Sequence, residues 1–206
     1  MKTTKLLICA VAIAAAFAAV KAQGQNISAT LVDISPSLAV TGTIDNGSFI
    51  EEYPSGVSHF TDFDAFCIEP NQSISYGETL VYQVQDPASL GNYDKISRLV
   101  GGYLASSRSA ADAAAVQWAI WETTNETLSS PSLLDSNVRI STPISQSTAT
   151  LANQYLANIN TYTPVAITYL SNPNRQDVVT WNVVPEPGTA GLAALSALMM
   201  LRRRRR

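Results

Sequence analysis

The sequence predicts an α+β domain, a mainly antiparallel β sandwich or barrel with a helical insertion. Short runs of β-branched and aromatic residues, bounded by turn residues, lie near both ends of residues 23–184, and stretches with helical spacing lie between them. Strands, then helices, then strands is an order typical of this fold class. Hydrophobic residues make up 46% of the chain and charged residues 14%, which indicates a folded protein with a real core.

The first half of this region is expected to be mostly strands. Ser35-Pro36 interrupts the first apolar stretch, and Asp45-Asn46-Gly47 is a strong signal for a hairpin turn. Residues 51–56 are predicted to form a loop. The predicted strands are residues 27–34, 38–44, 57–68 and 79–84.

Helices are expected next, followed by two more strands. Residues 93–106 have helical spacing despite Gly101-Gly102, which is expected to bend the helix or end it early. Ser109 is a suitable N-cap for the following helix, and Asp112 favours the positive end of its dipole. The remaining expectations are a long loop over residues 125–147 that covers a site, a short helix over 149–160, and strands over 165–170 and 178–184.

The N-terminus predicts export. Lys2 and Lys5 precede an apolar run, residues 6–20, and small residues lead up to Ala22. This pattern is typical of a secretory signal peptide, residues 1–22, cleaved after Ala22. Cys9 is removed with it, so the mature chain keeps one cysteine, Cys67, and no internal disulfide is possible.

Charge is unevenly distributed along the chain. Eight of the 13 basic residues lie in the two terminal segments, which leaves five in residues 23–184 against 15 of the 16 acidic residues. The body therefore carries a net charge of about −10, which argues against nucleic-acid binding.

The C-terminus carries a second sorting pattern. Pro185-Glu186-Pro187 is followed by an apolar run, residues 188–201, and then by five arginines. Residues 185–206 resemble the PEP-CTERM sorting signal of exported bacterial proteins. The resemblance implies transient anchoring in the membrane, processing by an exosortase, and a final location at the cell surface or outside the cell. As a helix the apolar run spans about 21 Å, which is short for roughly 30 Å of hydrocarbon.

Gln117 lies in an otherwise apolar helical stretch, residues 110–122. Burying its carboxamide without a partner would cost roughly 1–3 kcal/mol. Cys67, in the aromatic-rich segment 62–69, is the unusual partner that the mature chain offers.

The segments Phe66-Cys67-Ile68 and 117–121 resemble the two half-motifs of bacterial surface thioester domains. In that family a strand cysteine and a helix glutamine form an internal thioester, which an amine or hydroxyl of another molecule can open. The chain departs from the commoner pattern at Val116, where the family has threonine. The inert alternative is a core cysteine near a helix whose glutamine bonds to the backbone.

The resemblance implies roles for further residues. Cys67 would supply the sulfur and Gln117 the acyl carbon, with Phe66, Trp118 and Trp121 as candidates to exclude water. Two acids are candidates for proton transfer: Glu69, expected on the same strand face as Cys67, and Glu122. The partner would be a surface amine or hydroxyl, or extracellular polysaccharide.

Other chemistry is disfavoured. On one continuous strand His59 would lie roughly 26 Å from Cys67, so a cysteine hydrolase would need a sharp reversal between them. Asp62 and Asp64 lack the spacing of a calcium loop, and no phosphate-loop or zinc motif occurs, so no metal or cofactor is expected.

The alternative to covalent attachment is a non-covalent structural or carbohydrate-binding component of the extracellular matrix. A polysaccharide-degrading enzyme ranks third, because no paired acidic motif stands out.

Overall fold

Seven strands in one antiparallel sheet and three α-helices make up the described part of the chain. The computed structural model describes residues 24–44, 48–125, 132–134, 137–141 and 145–181. The strands are β1 (Asn26–Ile44), β2 (Ser48–Phe60), β3 (Asp64–Cys67), β4 (Thr79–Gln85), β5 (Arg139–Ile140), β6 (Thr168–Ser171) and β7 (Val178–Thr180), and the helices are α1 (Tyr93–Ala105), α2 (Ala110–Asn125) and α3 (Gln146–Ala157). The fold class is α+β, as the sequence predicts.

The strand order is β2-β3-β7-β6-β4-β1-β5, and β1 also pairs with β2. Strand β1 can do this because its two parts have different neighbours. Its first residues, Asn26 to Thr30, pair with β4, and its pairing with β2 begins at Leu31 and ends at Ile44. Strands that are far apart in the sequence are neighbours in the sheet, since β3 lies between β2 and β7.

Strand β1 is longer than predicted. The two expected strands are one strand of 19 residues, and Ser35-Pro36 interrupts only its register with β2. The expected hairpin follows, since Ile44 pairs with Ser48, although the turn residues 45–47 themselves lie outside the described residues.

The predicted loop over residues 51–56 is wrong, because β2 continues through it. Val40 pairs with Tyr53 and Ala39 with Pro54, so pairing with β1 overrides the turn-forming composition. The single strand predicted over residues 57–68 is also wrong. The Phe60 N–H donates to the Phe63 carbonyl at 2.8 Å, and the chain reverses there to separate β2 from β3.

Helix α1 forms where predicted, and its glycines do not end it early, since it continues to Ala105. A Cβ on Gly101 would lie 2.0 Å from the Thr163 carbonyl oxygen, and one on Gly102 would lie 2.9 Å from the Tyr162 ring. These glycines allow the segment after α3 to approach the helix closely.

Helix α2 begins at the predicted cap. The Ser109 hydroxyl accepts from the Asp112 N–H at 3.1 Å, and the Asp112 carboxylate accepts from the Ser109 N–H at 3.1 Å. This reciprocal capping box satisfies two backbone donors that the first turn leaves open. Every residue of α2 from Ala113 to Thr123 is buried, so α2 is the central helix of the domain.

The later elements follow the prediction with shifted bounds. Helix α3 begins at Gln146, three residues early, and β6 and β7 form the expected antiparallel pair. The predicted signal peptide, the predicted sorting segment over residues 185–206 and part of the loop expected over residues 125–147 lie outside the described residues. Within that expected loop the structure places strand β5. None of the described helices has the length and apolar character needed to cross a bilayer.

Candidate functional site

Cys67 is the last residue of β3, and its thiol is free and buried, with 5% of the residue exposed. Gln117 lies in the middle of α2 and is 1% exposed. The two residues are 50 positions apart in sequence and in direct contact.

The Gln117 carboxamide is docked on the main chain of Cys67 by two hydrogen bonds. The Cys67 N–H donates to Gln117 Oε1 at 3.0 Å, and Gln117 Nε2 donates to the Cys67 carbonyl at 2.8 Å. Each polar group therefore satisfies the other in a buried place where an unpaired group would cost about 1–3 kcal/mol.

The strand register explains why a side chain is needed there. Ser58 and His59 of β2 pair with Ala65 and Asp64 of β3, and the same register would place Gly56 opposite Cys67. The pairing of β2 with β3 ends before that point, and the described pairing of Gly56 is with Ser37 of β1, on the other edge of β2. Strand β2 has left β3 at this point, and the Gln117 carboxamide takes the place of the missing peptide group.

The Cys67 sulfur lies on the face of β3 that also carries Ala65, because side chains alternate along a strand. Its described contact is with the Ser58 hydroxyl, at 3.6 Å. Burial raises the pKa of the Cys67 thiol to about 12, and the hydrogen bond with Ser58 lowers it by less. The sulfur is thus a neutral thiol at physiological pH, and any nucleophilic step must remove its proton.

The predicted shielding residues occupy two sides of the site. Phe66 points to the opposite face of β3 from Cys67, where its ring centroid lies 5.2 Å from those of Tyr103 and Trp181. Trp118 and Trp121 are 0% and 1% exposed and pack edge to face, with centroids 5.3 Å apart. Trp118 follows Gln117 directly in the sequence of α2, and Trp121 lies one turn further along the helix.

The two indole N–H groups differ. Trp118 Nε1 donates to the Ser55 hydroxyl at 2.9 Å, whereas Trp121 Nε1 has no acceptor among the described residues. We expect Trp118→Phe to lower the free energy of unfolding by about 1–2 kcal/mol more than Trp121→Phe, because only the first change breaks a buried hydrogen bond. Urea unfolding of the two variants measures the difference. Equal losses would show that the Trp118–Ser55 bond contributes nothing.

The described hydrogen bonds of the two candidate acids go to groups other than the sulfur. Strand β3 ends at Cys67, so the expectation that Glu69 shares its strand face is wrong. The Glu69 carboxylate accepts from Gln72 Nε2 at 3.0 Å, in a cavity beyond the strand end. Glu122 is fully buried and accepts from the Ser132 N–H at 2.9 Å, so it holds the segment after α2.

The sharp reversal that a Cys–His pair would require does exist, but the pair does not form. His59 sits opposite Asp64, and its Nδ1 contacts Asp64 Oδ1. Ser58, the neighbour of His59, is the residue whose side chain reaches the sulfur. His59 therefore faces the other way, and the structure disfavours a Cys–His nucleophile by strand alternation rather than by distance.

Sequence reasoning missed a polar network beside the site. The Tyr169 hydroxyl donates to Asp177 Oδ2, and Asp177 Oδ1 accepts from the Asn172 N–H at 2.7 Å. Gln176 Nε2 donates to the Glu69 carbonyl at 2.6 Å. The last contact joins the segment after β3 to the β6–β7 hairpin across 107 positions, a separation at which no local motif signals it.

The arrangement has one chemical property of note. The hydrogen bond from the Cys67 N–H to Gln117 Oε1 withdraws electron density from the carboxamide and would stabilise negative charge on that oxygen. Cys67 therefore supplies two groups: its N–H polarises the Gln117 carbonyl, and its sulfur is the potential nucleophile.

Comparison with protein-family models, with curated proteins and with solved structures finds no match to this chain.

Proposed function

We propose that the chain is an exported bacterial surface or matrix protein that attaches covalently to a partner through a Cys67–Gln117 thioester. The observation that supports this most is the docking of the Gln117 carboxamide on Cys67 by two hydrogen bonds. It holds the acyl carbon beside the residue that carries the sulfur, in a site from which water is excluded.

Bond formation needs no reagent from outside the chain. The Cys67 sulfur attacks Gln117 Cδ, the C–N bond breaks, and Nε2 leaves as ammonia with the thiol proton. The Cys67 N–H stabilises the charge that develops on Oε1. Because burial keeps the thiol protonated, proton transfer and attack are coupled, and the step is slow compared with that of an exposed cysteine.

The bond would then be consumed once. An amine or hydroxyl of a partner attacks the acyl carbon, the C–S bond breaks, and the partner's proton passes to the sulfur. The products are an amide or ester of residue 117 and a free Cys67 thiol. The protein is therefore a stoichiometric attachment device rather than an enzyme.

Methylamine tests this chemistry. In the wild-type chain it should leave an N-methylamide at position 117 and a newly alkylatable thiol at position 67, both identified by peptide mapping. Cys67→Ala should show neither change. A wild-type chain whose Gln117 stays unmodified while Cys67 is already free would contradict the proposal.

A non-covalent matrix component is the second candidate. The same two hydrogen bonds favour it, because the intact carboxamide already satisfies the Cys67 N–H and carbonyl and replaces a missing strand partner. In this account Gln117 is structural and Cys67 is inert.

Both candidates include sorting through residues 185–206 after cleavage of residues 1–22. Replacing Pro185, Glu186 and Pro187 by alanine should leave export intact and block C-terminal processing, so the uncleaved chain should accumulate in the membrane fraction. Normal processing of that variant would refute an exosortase signal.

The finer description of the fold is also a proposal. The strands β2, β3, β7, β6, β4 and β1 pair in that order, and β1 also pairs with β2, so the six strands form a closed ring. This closure supports the barrel rather than the sandwich.

A further inference from the structure

A polar cavity of about 370 Å³ opens just beyond the end of β3. The polar residues of its lining include Glu69, Gln72, Thr124, Asn125 and Tyr169. It does not include Cys67 or Gln117, so it is a separate feature from the site above. Its volume is at the lower end of the range for small-ligand sites and fits one side chain or one sugar ring.

Four side-chain donors of this lining are already used within the protein. Asn125 Nδ2 donates to the Trp121 carbonyl at 2.9 Å, and the Thr124 hydroxyl donates to the Ile68 carbonyl at 3.1 Å. Gln72 Nε2 donates to Glu69, and the Tyr169 hydroxyl donates to Asp177.

Acceptors remain available. Both described hydrogen bonds to the Glu69 carboxylate, from Gln72 Nε2 and from the Asp177 N–H, end on Oε2. Glu69 Oε1 and the amide oxygens of Gln72 and Asn125 accept no described hydrogen bond. A ligand suited to this cavity must therefore be rich in donors.

Charge narrows the class of ligand. Glu69 is the charged residue of the lining, and the lining contains no Lys, Arg or His. Burial, and then the nearby Asp177 carboxylate, raise the pKa of Glu69 above its ordinary value, as expected for an acid without a cationic partner. The cavity thus disfavours phosphate, sulfate and uronate groups.

The lining is held in place from behind by a buried pair, Gln176 and Asp177. Gln176 fixes the backbone of Glu69, and Asp177 fixes the hydroxyl of Tyr169. Two lining residues from distant parts of the chain are thereby positioned before any ligand arrives, which reduces the entropy that binding costs.

We propose that this cavity binds a primary ammonium group, with Glu69 Oε1 and the amide oxygens of Gln72 and Asn125 as acceptors for its three N–H donors. A lysine side chain of a protein and an amino sugar of a polysaccharide both carry this group. The proposal goes beyond the thioester and does not depend on it.

The test is an NMR titration of the full chain in a non-ionic detergent, observing the side-chain amides of Gln72 and Asn125. The probes are Nα-acetyl-lysine amide and glucosamine, each paired with its neutral Nε- or N-acetylated form. We expect the ammonium forms to shift these signals and the acetylated forms to do so at least about tenfold more weakly, because acetylation removes the charge. The tighter of the two ammonium probes identifies the source. Equal binding of a probe and its acetylated form, or no shift with either ammonium probe, overturns the proposal.

Variants separate this site from the thioester. Glu69→Gln should weaken binding of the ammonium probes by about tenfold or more, whereas Glu78→Gln, at a carboxylate outside the cavity that is bound by Arg175, should leave binding unchanged. Binding should persist in Cys67→Ala, which cannot form a thioester. Signals that vanish in Cys67→Ala would show acyl transfer instead of this site, and would refute the ammonium cavity while leaving the thioester standing.

Discussion

Opening the Cys67–Gln117 bond with methylamine should lower the free energy of unfolding by about 4 kcal/mol. The bond closes a loop of 50 residues, and a crosslink of that span restricts the unfolded chain by roughly this amount in the chain-entropy model. Urea unfolding before and after treatment measures the loss.

The control for this experiment is Cys67→Ala, which has no bond to open and should unfold identically with and without the amine. A wild-type chain that shows no change, although peptide mapping finds residue 117 methylated, would mean that the crosslink contributes no chain-entropy stabilisation. No change together with an unmodified Gln117 would favour the inert matrix component.

Replacing Gln117 should be costly even in an unreacted chain. Gln117→Ala leaves the Cys67 N–H and carbonyl without partners in a buried place, and we expect a loss of about 3–5 kcal/mol. The exposed Gln146, whose Nε2 contacts Thr150, provides the control. Gln146→Ala should change the free energy of unfolding by no more than about 0.5 kcal/mol.

Gln117→Glu adds a pH signature to the same test. Burial raises the pKa of the introduced carboxyl above the ordinary value of about 4.3, because the neutral form is the one that can still donate to the Cys67 carbonyl. A group with a raised folded-state pKa stabilises fully below its unfolded pKa, and that stability is lost as pH rises. The free energy of unfolding of Gln117→Glu should therefore be close to that of the wild type near pH 4 and lower than that of the wild type at pH 7. A difference from the wild type that does not vary with pH would mean that position 117 is hydrated.

Local signals in the sequence were sufficient to predict the helices. The capping box of Ser109 and Asp112 lies within one turn, and the apolar stretch after it determines α2. The β framework was harder, because β2 is held by its pairing with β1 and its own composition resembles a loop. Nothing local indicated the reversal between Phe60 and Phe63.

That reversal limited the prediction of the site. The contact between Cys67 and Gln117 followed from one polar residue in an apolar helix and one unusual cysteine, both visible in the sequence. Ser58 could not be identified, because a shift of one residue in the β2–β3 register would bring His59 to the sulfur instead. The hydrogen bond from Gln176 to the Glu69 carbonyl spans 107 positions and had no sequence signal.

The intact mass of residues 23–184, purified under mild conditions, tests the covalent mechanism most directly. The thioester predicts a mass that is short of the sequence by one ammonia in the wild type and equal to the sequence in Cys67→Ala. A wild-type mass equal to the sequence would contradict the covalent mechanism and leave Gln117 as the side chain that completes the sheet beside Cys67.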